Sequence, residues 1–215
     1  MRSKFDEQLA LLNRDLTKMG SLCEEALALA AKALANADGQ TAAKIAPIDS
    51  EIDQMERTIE SLCLKLLLQQ QPVARDLRQI SAALKMITDM ERIGDQASDI
   101  AEIIGFLNGR IGTDAQYICQ MAVAAMRMVT ESVEAYVKRD VAMAEATIQH
   151  DDVVDDLFLK VKESLIQMIS ENPKDGEYAL DLLMIAKYFE RIGDHATNIA
   201  EIGRASCRER VFGYV

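Results

Sequence analysis

Apolar residues recur along the first 33 positions in alternating steps of four and three, which is the spacing of one helix face. The positions are Phe5, Leu9, Leu12, Leu16, Met19, Cys23, Ala26, Ala30 and Ala33. The pattern predicts one long amphipathic helix with a narrow apolar seam. The turn sequence NADG at 36–39 is expected to end it.

Two further helices are predicted before the middle of the chain. One covers about 49–70 and is interrupted by Gln71 and Pro72, and the next covers about 76–107. Residues 105–114 (GFLNGRIGTD) then place three glycines within ten positions, which indicates a domain boundary. No run of β-branched residues alternates with polar ones, so strands are not expected.

The chain repeats one of its own helices. ERIGDQASDIAE at 91–102 returns as ERIGDHATNIAE at 190–201, and 10 of 13 positions are identical between 91–103 and 190–202. A repeat of about 100 residues is large enough to bury its own core. We therefore predict an all-α fold of two tandem, similar three-helix bundles of long antiparallel helices. Residues 1–109 form the first bundle, 110–202 the second, and 203–215 a divergent tail.

Composition agrees with a helical bundle and excludes several functions. Of the 215 residues 49% are hydrophobic but only 5% aromatic, so Leu, Ile, Ala and Met must fill the core. The net charge of −11 argues against nucleic acid as a partner. No secretory signal and no long uncharged apolar segment is present, which predicts a cytoplasmic protein. The four cysteines form no CxxC pair and are expected to be reduced core thiols.

Acidic residues form stripes on the helices of both repeats. Glu91, Asp95, Asp99 and Glu102 fall within an arc of about 80° on a helix, because each residue advances the helix by 100°. The matching stripe of the second repeat consists of Glu190, Asp194, Asn198 and Glu201. The preceding helix of each repeat also has an acidic face, formed by Asp49, Asp53, Glu56 and Glu60 in the first repeat and by Asp151, Asp152, Asp155 and Asp156 in the second. Like charges repel at this spacing, and a bound cation removes the repulsion. Carboxylates alone favour Fe, Mn, Mg or Ca, with Zn possible, in multinuclear clusters.

Structural interpretations of the same residues remain open. The acidic stripes are also compatible with solvated helix faces, and Asp49 with an N-cap. Arg92 and Arg191 are expected to pair with the acidic stripe of an adjacent helix, a bound anion being the alternative. Gly94 and Gly193 each cost a helix about 1 kcal/mol relative to Ala. Close approach of a neighbouring helix is our explanation for them, and keeping a side chain out of a metal site is the alternative.

Enzyme signatures are missing from the sequence. It contains no phosphate-binding GxxxxGK loop, no GxGxxG after a strand and no GxSxG elbow. A di-metal carboxylate enzyme of the ferritin type needs ExxH on two helices, whereas Thr147 and Ile192 precede the two histidines by three positions. We therefore predict a protein that is not an enzyme. A di-metal carboxylate enzyme is the alternative, and a helical adaptor without metal is a third possibility.

The duplicated ERIGD segments, each preceded by DxxxD on the helix before, resemble the PhoU family of bacterial phosphate-transport accessory proteins. The resemblance covers residues 1 to about 202. It implies a non-enzymatic adaptor that links the phosphate ABC transporter ATPase to its sensor histidine kinase and represses signalling when phosphate is plentiful. It also implies a homodimer that is peripheral to the membrane through its partners.

The resemblance further implies multinuclear metal clusters, with Fe or Zn expected and Mn or Mg possible. The ligands it assigns are Asp49, Asp53, Glu91, Asp95, Asp99, Asp151, Asp155, Glu190 and Asp194. Five more residues are expected to support them: Arg92, Arg191, Glu102, Glu201 and Asn198. Asn198 departs from the acid at Asp99, so the second cluster is expected to hold its metal less firmly.

The end of the chain departs from the family. From 203 it reads GRASCRERVFGYV, without the apolar period expected of a continuing helix. The segment looks like translated adapter or vector sequence, and a genuine divergent tail is the alternative. We expect it to be poorly ordered or to extend the helix by only one or two turns.

Overall fold

Eight α-helices form in the part of the chain that the computed structural model describes, residues 2–69, 73–107, 109–110 and 115–207. They are α1 (Arg2–Asn36), α2 (Gly39–Ala42), α3 (Ile45–Gln69), α4 (Ala74–Phe106), α5 (Gln116–Lys138), α6 (Val141–Gln149), α7 (Asp151–Glu171) and α8 (Gly176–Cys207), and a 3-10 turn at Pro173–Asp175 precedes α8. Helices α1, α3 and α4 form one bundle, and α5, α7 and α8 form the other. Within these residues there are no strands, and the predicted all-α pair of three-helix bundles is confirmed.

The observed helix ends agree with the sequence pattern except at the start of α3. Helix α1 ends at Asn36 as predicted, and α4 begins two residues before the predicted start. Helix α3 begins at Ile45 rather than at 49, so that Pro47 lies in its first turn. Proline is tolerated there because the first turn of a helix leaves its N–H groups unpaired anyway. The interruption predicted at Gln71 and Pro72 lies outside the described residues.

The first helix of each repeat ends in the same way. Ala37 (φ 50°) and Arg139 (φ 56°), which are 102 positions apart, both adopt the left-handed conformation. The N–H of the residue after each donates to a carbonyl five positions earlier, at 2.9 and 2.8 Å. That residue, Asp38 or Asp140, then caps a short helix through its side chain. This arrangement closes the helix end with paired carbonyls.

The two bundles lie side by side and share one continuous hydrophobic core. Helix α1 packs on α5 so closely that a Cβ added at Gly20 would lie 3.3 Å from Val133. Burial raises the pKa of the Cys23 thiol to about 12, and this thiol contacts the Met90 carbonyl at 3.4 Å. All four cysteines are free, and Cys23 and Cys63 are buried, as expected of core thiols.

Helices α4 and α8 cross with a local twofold relation between the repeats. The Asp89 carboxylate accepts a hydrogen bond from Asn198 at 3.3 Å and lies 2.8 Å from His195 Nδ1. At the equivalent place, the carboxylate of Asp99 lies near Tyr188 and, with burial as the larger cause, raises the pKa of its hydroxyl. Positions 89 and 188 are equivalent at an offset of 99, and so are positions 99 and 198. The two contacts are therefore the same pair of positions with the helices exchanged, which requires α4 and α8 to run antiparallel here.

The end of the chain extends the last helix by a short distance. Helix α8 continues to Cys207, which is about one turn past 203. The rest of the predicted tail, 208–215, lies outside the described residues. None of the described helices combines the length and apolar character that a membrane span requires.

The left-handed helix ends predict a stabilising substitution. Ala37→Gly should raise the free energy of unfolding by about 0.5–1 kcal/mol, because an L-residue pays about 1–2 kcal/mol in this conformation and glycine does not. Thermal unfolding should show an increase of about 1–4 °C for a chain of this size. Ala28→Gly, at an exposed position in the right-handed middle of α1, should instead lower the midpoint. Equal shifts in both variants would contradict this account of the helix end.

Candidate metal centres

Three carboxylates from two helices meet on one side of the first bundle. Asp49 and Asp53 of α3 and Asp95 of α4 each offer an oxygen, and these oxygens lie within 4.8 Å of one another. All three side chains are half-buried. In the described part of the chain no other group of acids, histidines or cysteines comes together as closely. We call these residues, with Glu91 of α4, acidic cluster one.

Asp49 is the most constrained member of acidic cluster one. Its Oδ2 accepts a hydrogen bond from Ser98 Oγ at 3.0 Å, while its Oδ1 is buried with no hydrogen-bond partner in the described structure. Burial raises the pKa of this carboxyl, and the negative charges of Asp95, Asp53 and Asp99 raise it further. Asp49 lies in the second turn of α3, so it does not act as an N-cap. An orphaned, buried oxygen among other carboxylates is where a cation is favourable.

Gly94 makes the position of the Asp49 carboxylate possible. A Cβ built on Gly94 would lie 2.7 Å from Asp49 Oδ1 and 3.0 Å from Ile52 Cδ1, and the first distance is shorter than carbon–oxygen contact allows. Both explanations offered for this glycine therefore apply, because α3 approaches α4 closely and a carboxylate occupies the space. The nearest atom belongs to the acidic cluster.

Arginines neutralise only the outer part of acidic cluster one. Arg92 contacts Asp95 at 3.3 Å and Glu91 at 3.5 Å, and Arg57 contacts Asp53 at 3.4 Å. Each arginine pairs with acids of its own helix, so the prediction that Arg92 pairs with an adjacent helix is wrong. The charge of Arg92 lowers the pKa of Glu56 on α3 against the larger effect of burial, but among the described residues the two side chains form no ion pair. Such exposed pairs contribute little, about 0–1 kcal/mol.

Acidic cluster two occupies the corresponding place in the second bundle. It consists of Asp151 and Asp155 of α7 and Glu190 and Asp194 of α8. Burial raises the pKa of Asp151 to about 6, and the neighbouring charges of Asp155, Asp194 and Glu190 raise it further. The pKa values of Asp155 and Asp194 are also raised, again chiefly by burial. A Cβ at Gly193 would lie 3.2 Å from Asp151 Oδ1, so the glycine has the same neighbour as in the first repeat.

The two acidic clusters differ in their cations and their enclosure. Lys187 Nζ lies 2.5 Å from Glu190 Oε2, whereas the equivalent position in the first repeat is Thr88. The positive charge of Lys187 also lowers the pKa values of Asp155 and Asp194 against the larger effect of burial. Both of these aspartates are exposed, so acidic cluster two is more open than cluster one. It also contains the ammonium group of Lys187.

The remaining predicted residues lie at the edges of the two clusters. Asp99 and Asn198 face the other bundle through the contacts with Tyr188 and Asp89. Glu102 is exposed, and Glu201 lies 3.9 Å from Arg204 of its own helix. Arg191 is exposed and has no ion-pair partner among the residues that the structure describes. The structure thus brings Asp49, Asp53, Glu91 and Asp95 together, and Asp151, Asp155, Glu190 and Asp194, while the other predicted residues surround them.

Sequence reasoning missed two residues that shape the clusters. Ser98 fixes one oxygen of Asp49, and its counterpart Thr197 has a buried hydroxyl with no partner in the described structure. Lys187 places an ammonium beside Glu190. Aligning the repeats at an offset of 99 pairs Lys187 with Thr88, so the sequence contained a signal for this difference. Ser98 carried no such signal, because serine on a helix surface is common.

The donor set fits hard multivalent cations. Every candidate ligand is a carboxylate oxygen, which is the ligand type that Mg, Mn and Fe prefer and that Zn accepts. The orphaned Asp49 Oδ1 and the raised pKa values of both clusters show negative charge that the protein itself does not neutralise. The arrangement can therefore gather cations at a half-exposed surface.

The raised pKa of Asp151 predicts a pH-dependent stability. Between about pH 4 and 6 the folded state keeps a proton that the unfolded chain has lost, so the free energy of unfolding of metal-free protein falls as pH rises through this window. Asp151→Asn removes the contribution of Asp151 to this dependence and should stabilise metal-free protein at pH 7 by about 1 kcal/mol, since water screens this half-exposed carboxyl. The gain should vanish near pH 4.

Urea unfolding of the wild type and the variant at both pH values measures this effect. Glu163→Gln, at an exposed position further along α7, is the matched control and should change stability at neither pH. A gain that is equal at pH 4 and pH 7 would contradict the assignment to Asp151.

Comparison with known proteins places both repeats in one family. The family model described as "PhoU domain" matches residues 16–104 and again 118–203. The chain is 37% identical over 202 residues to a phosphate-specific transport system accessory protein PhoU homolog of Clostridium acetobutylicum, covering 93% of this chain and 92% of that protein. It is 33% identical to the homolog of the same name in Pseudomonas aeruginosa, covering 93% of this chain and 83% of that protein.

Solved structures agree with this match. The crystal structure of PhoU from Pseudomonas aeruginosa has a TM-score of 0.90 at 33% identity, covering 94% of this chain and 98% of that chain. The phosphate transport system regulatory protein PhoU from Streptococcus pneumoniae has a TM-score of 0.85 at 25% identity, covering 94% and 96%. The relatives carry the names of accessory and regulatory proteins, which confirms the prediction that the chain is not an enzyme. From its sequence and its fold alike, the chain belongs to the PhoU family.

Proposed function

We propose that this protein is an accessory regulator of phosphate uptake that represses the phosphate-starvation response when phosphate is plentiful. The observation that carries this proposal is the family match over both repeats, at residues 16–104 and 118–203. The names of the relatives, accessory proteins of the phosphate-specific transport system, support the same role. No second function is favoured, since the acidic clusters lie at half-exposed surfaces rather than around a buried di-metal pair.

The mechanism that fits the fold is that of an adaptor. Six long helices share one core, so the surfaces they present keep fixed positions relative to one another. We infer that these surfaces contact the ATPase of the phosphate ABC transporter and a sensor histidine kinase. The protein acts in the cytoplasm as a homodimer and reaches the membrane through these partners. It does so without contacting nucleic acid, whose phosphates its net charge of −11 repels.

Multivalent cations at the acidic clusters are the second part of the proposal. In acidic cluster one, Asp49, Asp53 and Asp95 would hold the metal with Glu91 beside them, since their carboxylate oxygens lie within 4.8 Å of one another. Asp151, Asp155, Glu190 and Asp194 would do so in cluster two. Fe or Zn in multinuclear clusters is expected, with Mn or Mg as alternatives. A bound cation neutralises the carboxylates and offers further coordination positions to phosphate oxygens.

Exchanging the side chains at positions 88 and 187, which lie beside the two clusters, tests the metal sites. Thr88→Lys adds to acidic cluster one the ammonium that Lys187 gives cluster two, and Lys187→Thr removes it. We expect the first change to weaken Zn or Mn binding at cluster one about five-fold and the second to strengthen binding at cluster two, as for a screened exposed charge. Calorimetry on chelator-treated protein, with elemental analysis of protein purified without chelator, measures both effects.

A variant that lacks the ligands of cluster one provides the control for this exchange. Asp49→Asn with Asp53→Asn should abolish binding at cluster one and leave cluster two unchanged. Metal binding that all of these variants share with the wild type would contradict the assignment of the clusters.

Complementation tests the regulatory role in a cell. In Pseudomonas aeruginosa lacking its own PhoU, whose homolog is 33% identical, expression of this chain should switch off a reporter driven by a phosphate-starvation promoter in phosphate-rich medium. Asp49→Asn with Asp53→Asn should repress less, and Glu163→Gln should repress like the wild type. A reporter that remains active while the chain is present at normal abundance would overturn the proposal.

A further inference from the structure

Three arginines line a pocket at the N-terminal end of α4, away from the acidic clusters. Arg75 and Arg78 come from the first turns of α4, and Arg139 follows the last residue of α5. The pocket has a volume of about 460 Å³, which lies within the range of small-ligand sites. Such a concentration of positive charge is notable in a chain that has 35 acidic and 24 basic residues.

The floor of this arginine pocket is fixed by a buried polar network. Arg139 donates to Gln79 Oε1 at 2.7 Å, and Gln79 Nε2 donates to Asn13 Oδ1 at 3.1 Å. The Tyr136 hydroxyl donates to the Gln79 carbonyl at 2.8 Å. Gln79 is only 8% exposed, the bond from Tyr136 is buried, and the bonds to Arg139 and Asn13 are partly buried. The Arg139 guanidinium is therefore held in place, and its other N–H groups remain available to a ligand.

The protein around the three arginines does little to stabilise their positive charges. Arg75 and Arg78 stand three positions apart on α4, where like charges repel, and cations are unfavourable at the positive end of a helix. The helix is preceded by Val73 and has no side-chain cap. Within residues 2–69, 73–107, 109–110 and 115–207, no carboxylate forms an ion pair with any of the three arginines. Asp140, next to Arg139, is already engaged in capping α6.

The arginine pocket occurs in only one of the two repeats. At the repeat offsets, Arg75 corresponds to Lys174, Arg78 to Glu177, and Arg139 to Ala37. The acidic clusters, the glycines behind them and the left-handed helix ends are all present twice, as expected of features that the fold needs. An arginine trio present once is not required by the bundle.

We propose that this pocket binds a small phosphate-bearing anion with two or more negative charges. Guanidinium groups match the oxygens of such an anion with paired hydrogen bonds, and the uncapped start of α4 favours negative charge at the same place. Arg78 and Glu91 are separated by about 20 Å along α4, so the site is independent of the metal clusters.

Calorimetry on full-length, chelator-treated protein at constant ionic strength tests this site. The probes are inorganic phosphate, pyrophosphate and ATP, which separate a free phosphate ion, a condensed phosphate and a nucleotide as the source of the anion. At least one of them should bind in the micromolar to millimolar range. Arg75→Ala, Arg78→Ala and Arg139→Gln should each weaken this binding about ten-fold or more, the loss expected for a charge-assisted hydrogen bond.

Lys174→Ala is the matched control, because it removes one positive charge at the position equivalent to Arg75. It should leave anion binding unchanged. Thermal unfolding without ligand should show Arg75→Ala and Arg78→Ala to be at least as stable as the wild type, since both side chains are exposed and repel each other. Absence of binding by all three probes, or equal weakening by Lys174→Ala, would overturn the site. Neither result bears on the metal binding or the reporter repression proposed above.

Discussion

Apolar packing between neighbouring helices forces like charges together in this protein. Ile52 of α3 packs against Gly94 of α4, and Val154 of α7 lies beside Gly193 of α8. These contacts bring the carboxylates of Asp49 and its neighbours within a few ångströms of each other, although they repel. The hydrophobic effect of the shared core is large enough to hold this arrangement. The raised pKa values and the orphaned oxygen follow from it.

Both repeats keep the close helix packing that brings the carboxylates together, but they differ in the charged residues around it. Both clusters have a glycine under the first aspartate and a hydroxyl residue four positions later, but only the second has Lys187. The contact of Asp89 with Asn198 and that of Asp99 with Tyr188 are related by the local twofold, yet one aspartate has become an amide. The fold therefore preserves the geometry of two similar sites while their charges diverge.

Periodicity and repetition predicted most of the fold, because helix faces and internal identity can be read along one dimension. They also predicted the acids that meet, since residues four apart on a helix share a face. The start of α3 and the pairing of Arg92 were not predicted correctly. The start of α3 depends on proline being tolerated in the first turn of a helix, and the pairing of Arg92 depends on its side-chain rotamer. The arginine pocket brings Arg139 close to Arg75 and Arg78, which lie 64 and 61 positions earlier on another helix, and no spacing rule indicates such a meeting.

Helix α4 carries side-chain charges that add to its backbone dipole instead of opposing it. Arg75 and Arg78 outnumber the one acid, Asp76, at the positive N-terminal end, and the acids from Glu91 to Glu102 outnumber Arg92 in the negative C-terminal half. Over 33 residues, about 50 Å, this makes a strongly polarised rod. A charged surface exerts a torque on such a rod before any contact forms. This helix therefore contributes to the orientation in which the protein approaches a charged partner.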